Sequence, residues 1–304
     1  MLHEESRKAG TLKSSVQTRR EFIVTAASAG VSMLPSAVCA AEGKEVVSFG
    51  MVADIHYADI PDAIGRSYRE GPAKLSEAVE AFNRAKPDFI VELGDFKDFS
   101  GDRERTLACL DEIERVFSGF RGDRFHVMGN HDFDCLSPDE FLSRISNSGQ
   151  KKALARYSFV RNGVTFVVLD ACYDSAMRHY SGSNPWEDAN IPPGEMRWFA
   201  GELERAAGAV VVFCHQRLDP GADAMHLVKN AAAVRSLMEK SGKVKAVFTG
   251  HEHSGGSHFL NGIAYYTLRA MVTGRGPDEN SYAVASLFAD GSVRVKGWKK
   301  GRSV

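Results

Sequence analysis

The chain has 304 residues, 43% of them hydrophobic and 25% charged, the balance of a globular protein that can bury a full core. A mainly disordered chain, a collagen and a multi-span membrane protein are thereby excluded. Lys and Arg number 38 against 39 Asp and Glu, a net charge of −1. There is no global basic field for nucleic acid and no strong acidic bias, so local clusters must carry any charge chemistry.

Residues 1–41 read as an address rather than as structure. Thr18-Arg19-Arg20-Glu21-Phe22-Ile23 is a twin-arginine pattern, and the run from Phe22 to about Ala37 is only weakly apolar, broken by Gly30 and Pro35. A membrane span needs roughly 20 predominantly apolar residues. Small residues around Ala40 and Ala41 suit cleavage there. The segment resembles a Tat export signal, which implies the Tat export machinery as a partner and a periplasmic or extracellular destination. It also implies no stable membrane span in the mature form. A disordered basic tail or an uncleaved anchor is the alternative. Cys39 suggests a lipoprotein, but Val38 stands before it where a small residue would be expected.

From residue 42 the pattern alternates between apolar strands and amphipathic helices. Val46 to Ala53 is a buried strand by composition. Lys74 to Arg84 carries Leu75, Ala78, Val79 and Phe82 at helical spacing, and Pro87 ends it. A strand at Phe89–Leu93, a helix at Arg103–Phe117 and a strand at Phe125–Met128 follow. Further strands are predicted at 164–169, 210–213 and 244–248, with helices at 196–206 and 231–240 between them. The stretch Ser175–Gly194 is polar, with Pro185, Pro192 and Pro193, and reads as a surface loop or lid bearing Trp186. From Gly262 to Trp298 the period changes to three alternating strands. This is an α/β chain with a β-rich end, expected to form one domain over residues 42–304. Cys109, Cys135, Cys172 and Cys214 are far apart and contain no C-x-x-C pair, which excludes a zinc ribbon and assigns no disulfide.

The chemistry sits just past the strand ends. Asp54-Ile55-His56 follows the first strand, Gly94-Asp95-Phe96-Lys97-Asp98 the second, and Gly129-Asn130-His131-Asp132 the third. His215 closes Val211-Val212-Phe213-Cys214, and Gly250-His251-Glu252-His253 closes Val247-Phe248-Thr249. Open α/β sheets place ligands at the carboxyl ends of their strands. Oxygen and imidazole donors together suit Mn, Fe or Zn rather than a soft thiolate site. Each cluster alone is commonplace; their order and shared strand context are not.

These five clusters resemble the calcineurin-like metallophosphoesterases, over about Val46 to Trp298. The resemblance implies a four-layer α-β-β-α sandwich of two mixed sheets flanked by helices. It also implies two metal ions sharing Asp95. The first would take Asp54, His56, Asp95 and His253, and the second Asp95, Asn130, His215 and His251. A closer resemblance, to the manganese-dependent ADP-ribose/CDP-alcohol diphosphatases, rests on three stretches. They are Phe49 to Asp59, Ser67-Tyr68-Arg69 and Gly250 to Gly256. That subgroup often has Gln where this chain has His56.

The expected reaction is attack on phosphorus by a hydroxide bridging two cations, which lower the pKa of water and clamp the displacement. His131, between Asn130 and Asp132, is the candidate general acid, and Asp98 resembles the family carboxylate that orients it. Asp132 is either a turn cap or a further support. The Arg-Gly phosphate clamp of the superfamily's phosphoprotein phosphatases is absent, since Phe99-Ser100 stand there. Arg66, Arg69 and Arg217 are the substitute candidates for substrate contact, each also consistent with surface solvation. Tyr57 and Tyr68 suit either stacking or core packing. His126, His179, His226 and His258 fit no ligand position. The leading expectation is hydrolysis of a small-molecule phosphodiester or nucleoside-diphosphate-type substrate. A phosphomonoesterase and a non-catalytic metal-binding protein are the alternatives.

Overall fold

The computed structural model describes residues 43–182 and 185–304; the twin-arginine segment, its cleavage region and Cys39 lie outside the described residues. β1 (Glu45–Val52) is buried along most of its length, as its apolar run requires. α1 (Gly71–Ala85) has Pro72 in its first turn, where no N–H is needed, and stops where Lys86 turns left-handed ahead of Pro87. β2 (Phe89–Glu92) is wholly buried. α2 (Arg103–Phe117) is capped by Asp102, whose side chain accepts from the Arg105 N–H, and leads to β3 (Asp123–His126).

Two elements here, and a strand further on at Gly256–Leu260, are not foreseen from the sequence. α3 (Pro138–Leu142) is a single-turn helix closed by a reciprocal Ser137–Glu140 capping box. β4 (Tyr157–Arg161) pairs antiparallel with β5 (Val164–Val168) at a sheet edge, half-exposed and without a long apolar run. α4 (Pro193–Arg205), β6 (Val210–Phe213), α5 (Ala231–Ser241) and β7 (Val244–Thr249) then alternate as predicted. β8 (Gly256–Leu260) and β9 (Ile263–Thr267) form a hairpin, as do β10 (Ser281–Phe288) and β11 (Val293–Lys299).

The strands make two mixed sheets. One has five strands in the order β11-β10-β1-β2-β3, and the other six in the order β4-β5-β6-β7-β9-β8. In the six-stranded sheet β5, β6, β7 and β9 run parallel with antiparallel β4 and β8 at the edges; in the five-stranded sheet β1, β2 and β3 run parallel, and β10 joins β1 antiparallel with β11 antiparallel beyond it. The tail predicted as three strands is therefore divided: β9 joins the six-stranded sheet, while β10 and β11 complete the other.

Three apolar layers hold the sheets and helices together. Between the sheets, Phe49 stacks on Phe89 at 5.2 Å and meets Phe166, Phe213 and Phe248 edge-on. Leu75, Val79 and Phe82 of α1 and Leu110, Ile113 and Phe117 of α2 cover the outer face of the first sheet. Phe199 and Leu203 of α4 and Val234 and Met238 of α5 cover the second. The result is the expected four-layer α-β-β-α sandwich. Four thiols, Cys109, Cys135, Cys172 and Cys214, are unpaired.

Candidate metal centre

The parallel strands of both sheets point their carboxyl ends at one place. Asp54 and His56 follow β1, Asp95 follows β2, and Asn130 and His131 follow β3. From the other sheet, His215 follows β6, and His251 and His253 follow β7. Side chains from two sheets thus converge, and two compact donor groups draw on both sheets, while a third, His56 with Asp98 and His131, lies on the first sheet alone. Of the two that draw on both, Asp54, His56 and His253 form one; Asp95, His215 and His251 form the other. The Asp95 Oδ2 atom lies 3.1 Å from His215 Nε2 and 3.5 Å from His56 Nε2, so it faces both groups. Asn130 is buried beside them.

Close approach requires the glycines of the clusters. A side chain on Gly129 would lie 2.1 Å from the Asp95 nitrogen, and one on Gly94 2.4 Å from His215 Nδ1. Backbone strain is present in the same loops. Asp54, His56, Asp95 and His251 all have positive φ, at 52°, 47°, 58° and 69°. Each such residue costs on the order of 1 kcal/mol or more and persists only where its surroundings over-determine it. Asp132 supplies part of that determination. Its buried carboxylate accepts from the backbone N–H groups of Phe96 (2.9 Å) and Gly129 (2.8 Å), tying the second cluster to the third. The Asp54 carboxylate likewise accepts from the His251 N–H at 2.9 Å, tying the two sheets together.

The donor set fits cations. Asn130 Oδ1, His215 Nε2 and His251 Nε2 are buried without a hydrogen-bond partner, a costly condition that a ligated ion relieves. His215 Nδ1 donates to the Leu93 carbonyl at 2.7 Å and His56 Nδ1 to Asp98 at 3.2 Å. Both bonds fix the tautomer that leaves Nε2 with its lone pair facing inward. His56 Nε2 and His253 Nε2 face each other at 3.1 Å, so at least one carries no proton. Burial holds three of these imidazoles neutral: His56 is lowered to about 4, His253 to about 2, and His251 well below its ordinary value, whereas His215, facing Asp95 directly, is raised to about 9 against burial by Asp95 and Asp54. Burial also pushes Asp54 up to about 7, whereas Asp95 is held well below the usual carboxylate range, against burial, by His215, His131 and His56.

His131 stands at the rim. Its Nδ1 lies 2.6 Å from Asp134 Oδ2 and 3.5 Å from Asp98 Oδ1, and its ring packs edge-on to His56. Burial works against its charge, but Asp95, Asp134 and Asp98 raise it well above the ordinary histidine value. The three arginines named from the sequence part company. Arg66 reaches Asp98 Oδ2 at 3.3 Å and sits beside the donors. Arg69 pairs with Asp59 at 2.6 Å on an exposed surface. Arg217 is buried, forking onto Asp219 and bonding Glu252, so it braces the loop between His251 and His253. Tyr57 and Tyr68 are packed into cores.

The sequence reading passed over Asp134, and it named Trp186, His226 and His126 without their partners. Asp134 has no motif signal beyond its i+3 spacing from His131. Trp186, from the polar lid stretch, lies 5.6 Å from the His251 ring, and His226 lies 5.2 Å from it. His226 is held by Asp223 at 2.9 Å. Behind the first sheet, His126 is buried between Glu114 at 3.1 Å and Glu92 at 3.5 Å, while Glu92 accepts from the Gly94 N–H.

Two mixed sheets with oxygen and imidazole donors gathered at their strand ends define a class of metal-dependent phosphoesterases. Residues 47–255 match the calcineurin-like phosphoesterase family, and the chain belongs to it. That membership carries metal-dependent hydrolysis of phosphoester bonds. Curated relatives include the manganese-dependent ADP-ribose/CDP-alcohol diphosphatase of Arabidopsis thaliana, 27% identical over 75% of this chain and 87% of the relative. The Danio rerio protein of that name is 26% identical over 83% of this chain and 95% of its own length. Among solved structures, a dimetal phosphatase from Danio rerio superposes with a TM-score of 0.75 at 24% identity, covering 86% of this chain and 98% of that one. A yellow lupin purple acid phosphatase, PPD1, shares the fold at a TM-score of 0.58 and 12% identity, over 86% of this chain and 53% of its own.

Proposed function

We propose that this chain hydrolyses the diphosphate or phosphodiester linkage of a small molecule, with two cations held by Asp54, His56, Asp95, Asn130, His215, His251 and His253. The observation that carries the reading is the placement of Asp95 Oδ2 between His56 and His215, one carboxylate oxygen facing two donor groups. When bound, the cations supply the Lewis acidity that activates water and neutralises charge building on the phosphoryl oxygens. The chain's own residues do the rest. Asp98 and the Leu93 carbonyl hold His56 and His215 with their lone pairs inward. Protonated His131 hands a proton to the departing oxygen, with carboxylates on its Nδ1 side stabilising the charged ring. Arg66 offers a guanidinium to the substrate's phosphate edge.

The named activity of the relatives supports a nucleoside-diphosphate-type substrate and manganese as the preferred ion, with iron or zinc as the other candidates. The test is a substrate panel on metal-stripped protein reloaded with Mn²⁺. ADP-ribose, a CDP-alcohol, a bis-aryl phosphate and a monoester are compared with chelator present or absent. Faster turnover of the first three than of the monoester is expected. Preference for the monoester would make the chain a phosphomonoesterase, and no turnover with any metal would leave a metal-binding protein.

The twin-arginine pattern at Arg19-Arg20 supports export through the Tat machinery, to the periplasm or beyond. Among the described residues, no helix is long and apolar enough to cross a membrane. Replacing Arg19 and Arg20 by Lys in a reporter fusion should abolish export. Unchanged export would remove the Tat assignment.

A further inference from the structure

The resemblance to the family directs attention to Asp98 as the carboxylate behind His131, yet the geometry divides the labour differently. Asp98 is heavily engaged elsewhere. Its Oδ2 accepts from His56 Nδ1 at 3.2 Å and from Arg66 at 3.3 Å, and its Oδ1 accepts from the Phe99 N–H at 2.7 Å. What remains for His131 is a 3.5 Å approach, beyond good hydrogen-bond distance. Asp134 approaches the same Nδ1 to 2.6 Å. The local backbone makes that approach automatic. His131–Phe133 is a single 3-10 turn in which the Asp134 N–H donates to the His131 carbonyl at 3.1 Å. In a 3-10 turn, side chains three apart lie over one another. Lys97 fixes the far side of the turn: its buried Nζ donates to the Asp134 carbonyl at 2.9 Å.

We propose that Asp134, rather than Asp98, is the positioning residue for His131, and that Asp98 serves chiefly the metal-facing imidazole of His56. This deepens the proposed function and rests on its assignment of His131 as the acid. The Nδ1–H bond to Asp134 sets the ring so that Nε2–H faces the departing oxygen. The proton passes from Nε2 to that oxygen as the P–O bond breaks, and the ring is left neutral with Nδ1–H still on Asp134. Asp98 instead aims the His56 lone pair, so its loss acts through metal retention.

Leaving-group dependence separates these roles. A 4-nitrophenolate departs without protonation, whereas an alkoxide needs the acid. The test compares a nitrophenyl phosphodiester with a dialkyl phosphodiester, whose departing oxygen is an alkoxide, for the wild type, His131→Ala, Asp134→Asn, Asp134→Glu and Asp98→Asn, with metal content measured on each protein. Asp134→Asn should lower kcat on the alkyl substrate by about tenfold or more, part of the roughly 10²–10⁴-fold worth of general acid catalysis. It should leave KM and metal content at the wild-type level and cost the nitrophenyl substrate less than about threefold, on the same leaving-group argument. Asp134→Glu should recover part of the alkyl rate. Asp98→Asn should lose metal and slow both substrates alike. Equal losses on both substrates for Asp134→Asn, or a leaving-group-selective loss for Asp98→Asn with metal retained, would overturn the proposal. If His131→Ala itself shows no selectivity, the acid assignment falls. If His131→Ala is selective and Asp134→Asn is not, only the role of Asp134 falls.

Discussion

The five-stranded sheet brings carboxylates, an amide and imidazoles to the cradle, whereas the six-stranded sheet brings imidazoles alone. The donor groups around Asp54 and Asp95 each need both sheets: Asp54 and His56 meet His253, and Asp95 meets His215 and His251. The centre therefore exists only when the two sheets pack face to face in one register. The Phe layer between them, which supplies no donor, is as much a requirement of the chemistry as the ligands are. The rim differs again. Arg66, His131 and Asp134 are partly exposed and all belong to the first sheet's loops, so this half carries both the proposed acid and the candidate substrate contact.

Asp95 is where the two halves meet, and breaking it should have the largest effect. Asp95→Asn is expected to empty both donor groups and lower turnover on the order of 10³-fold, the several kcal/mol that cations supply. Elemental analysis alongside kinetics would check this, and full metal content with full activity would contradict it. The next test acts on packing without touching a ligand. Phe49, 1% exposed, meets rings from both sheets, so Phe49→Ala should destabilise by about 3–5 kcal/mol in urea unfolding. Added Mn²⁺ should recover part of that loss, because only the packed state assembles the donors.

A third expectation concerns the support behind the first sheet. His126 is fully buried; burial opposes its charge, but Glu114 and Glu92 raise it to about 9 from 6.5. Burial raises Glu92 itself to about 8 from 4.5. Both groups bind their protons more tightly in the folded state than in the unfolded one. Their joint contribution is therefore intact only below pH 4.5: the share of Glu92 is lost from there to about 8, and that of His126 from 6.5 to about 9. The fold should weaken through that window by on the order of 1 kcal/mol per pH unit. His126→Gln should flatten the dependence in thermal melts taken at several pH values. The smallest effect distinguishes two arginines of one loop. Arg66→Ala should raise KM about threefold to tenfold, the worth of one partly exposed charge-assisted bond. Arg69→Ala, spent on Asp59 at the surface, should leave KM unchanged. Equal effects would place the substrate elsewhere.

Much of this was legible without coordinates. Strand and helix periods around Val46–Ala53, Arg103–Phe117 and Val244–Phe248 are local properties of burial, and they appear in the structure with small shifts at their ends. The short α3 and the edge strands β4 and β8 were missed because none has an apolar run long enough to show a period. At the site, seven donors could be named because each follows a buried strand within a few residues, and strand ends of parallel sheets converge by topology.

Fates that depend on contacts distant in sequence were not legible. Arg66, Arg69 and Arg217 look alike as loop arginines. Only the fold shows that one faces the donors, one pairs at the surface and one is buried against Asp219 and Glu252. The tail strands look like one unit, but hydrogen bonding sends β9 to one sheet and β10 and β11 to the other. Sequence alone determined which residue types stand at the strand ends, because burial and chain reversal are written in nearby residues. Tertiary structure alone decided which side chains share a pocket and which carboxylate bonds His131. Those outcomes turn on ångström-scale competition among groups that meet only after the sheets have packed.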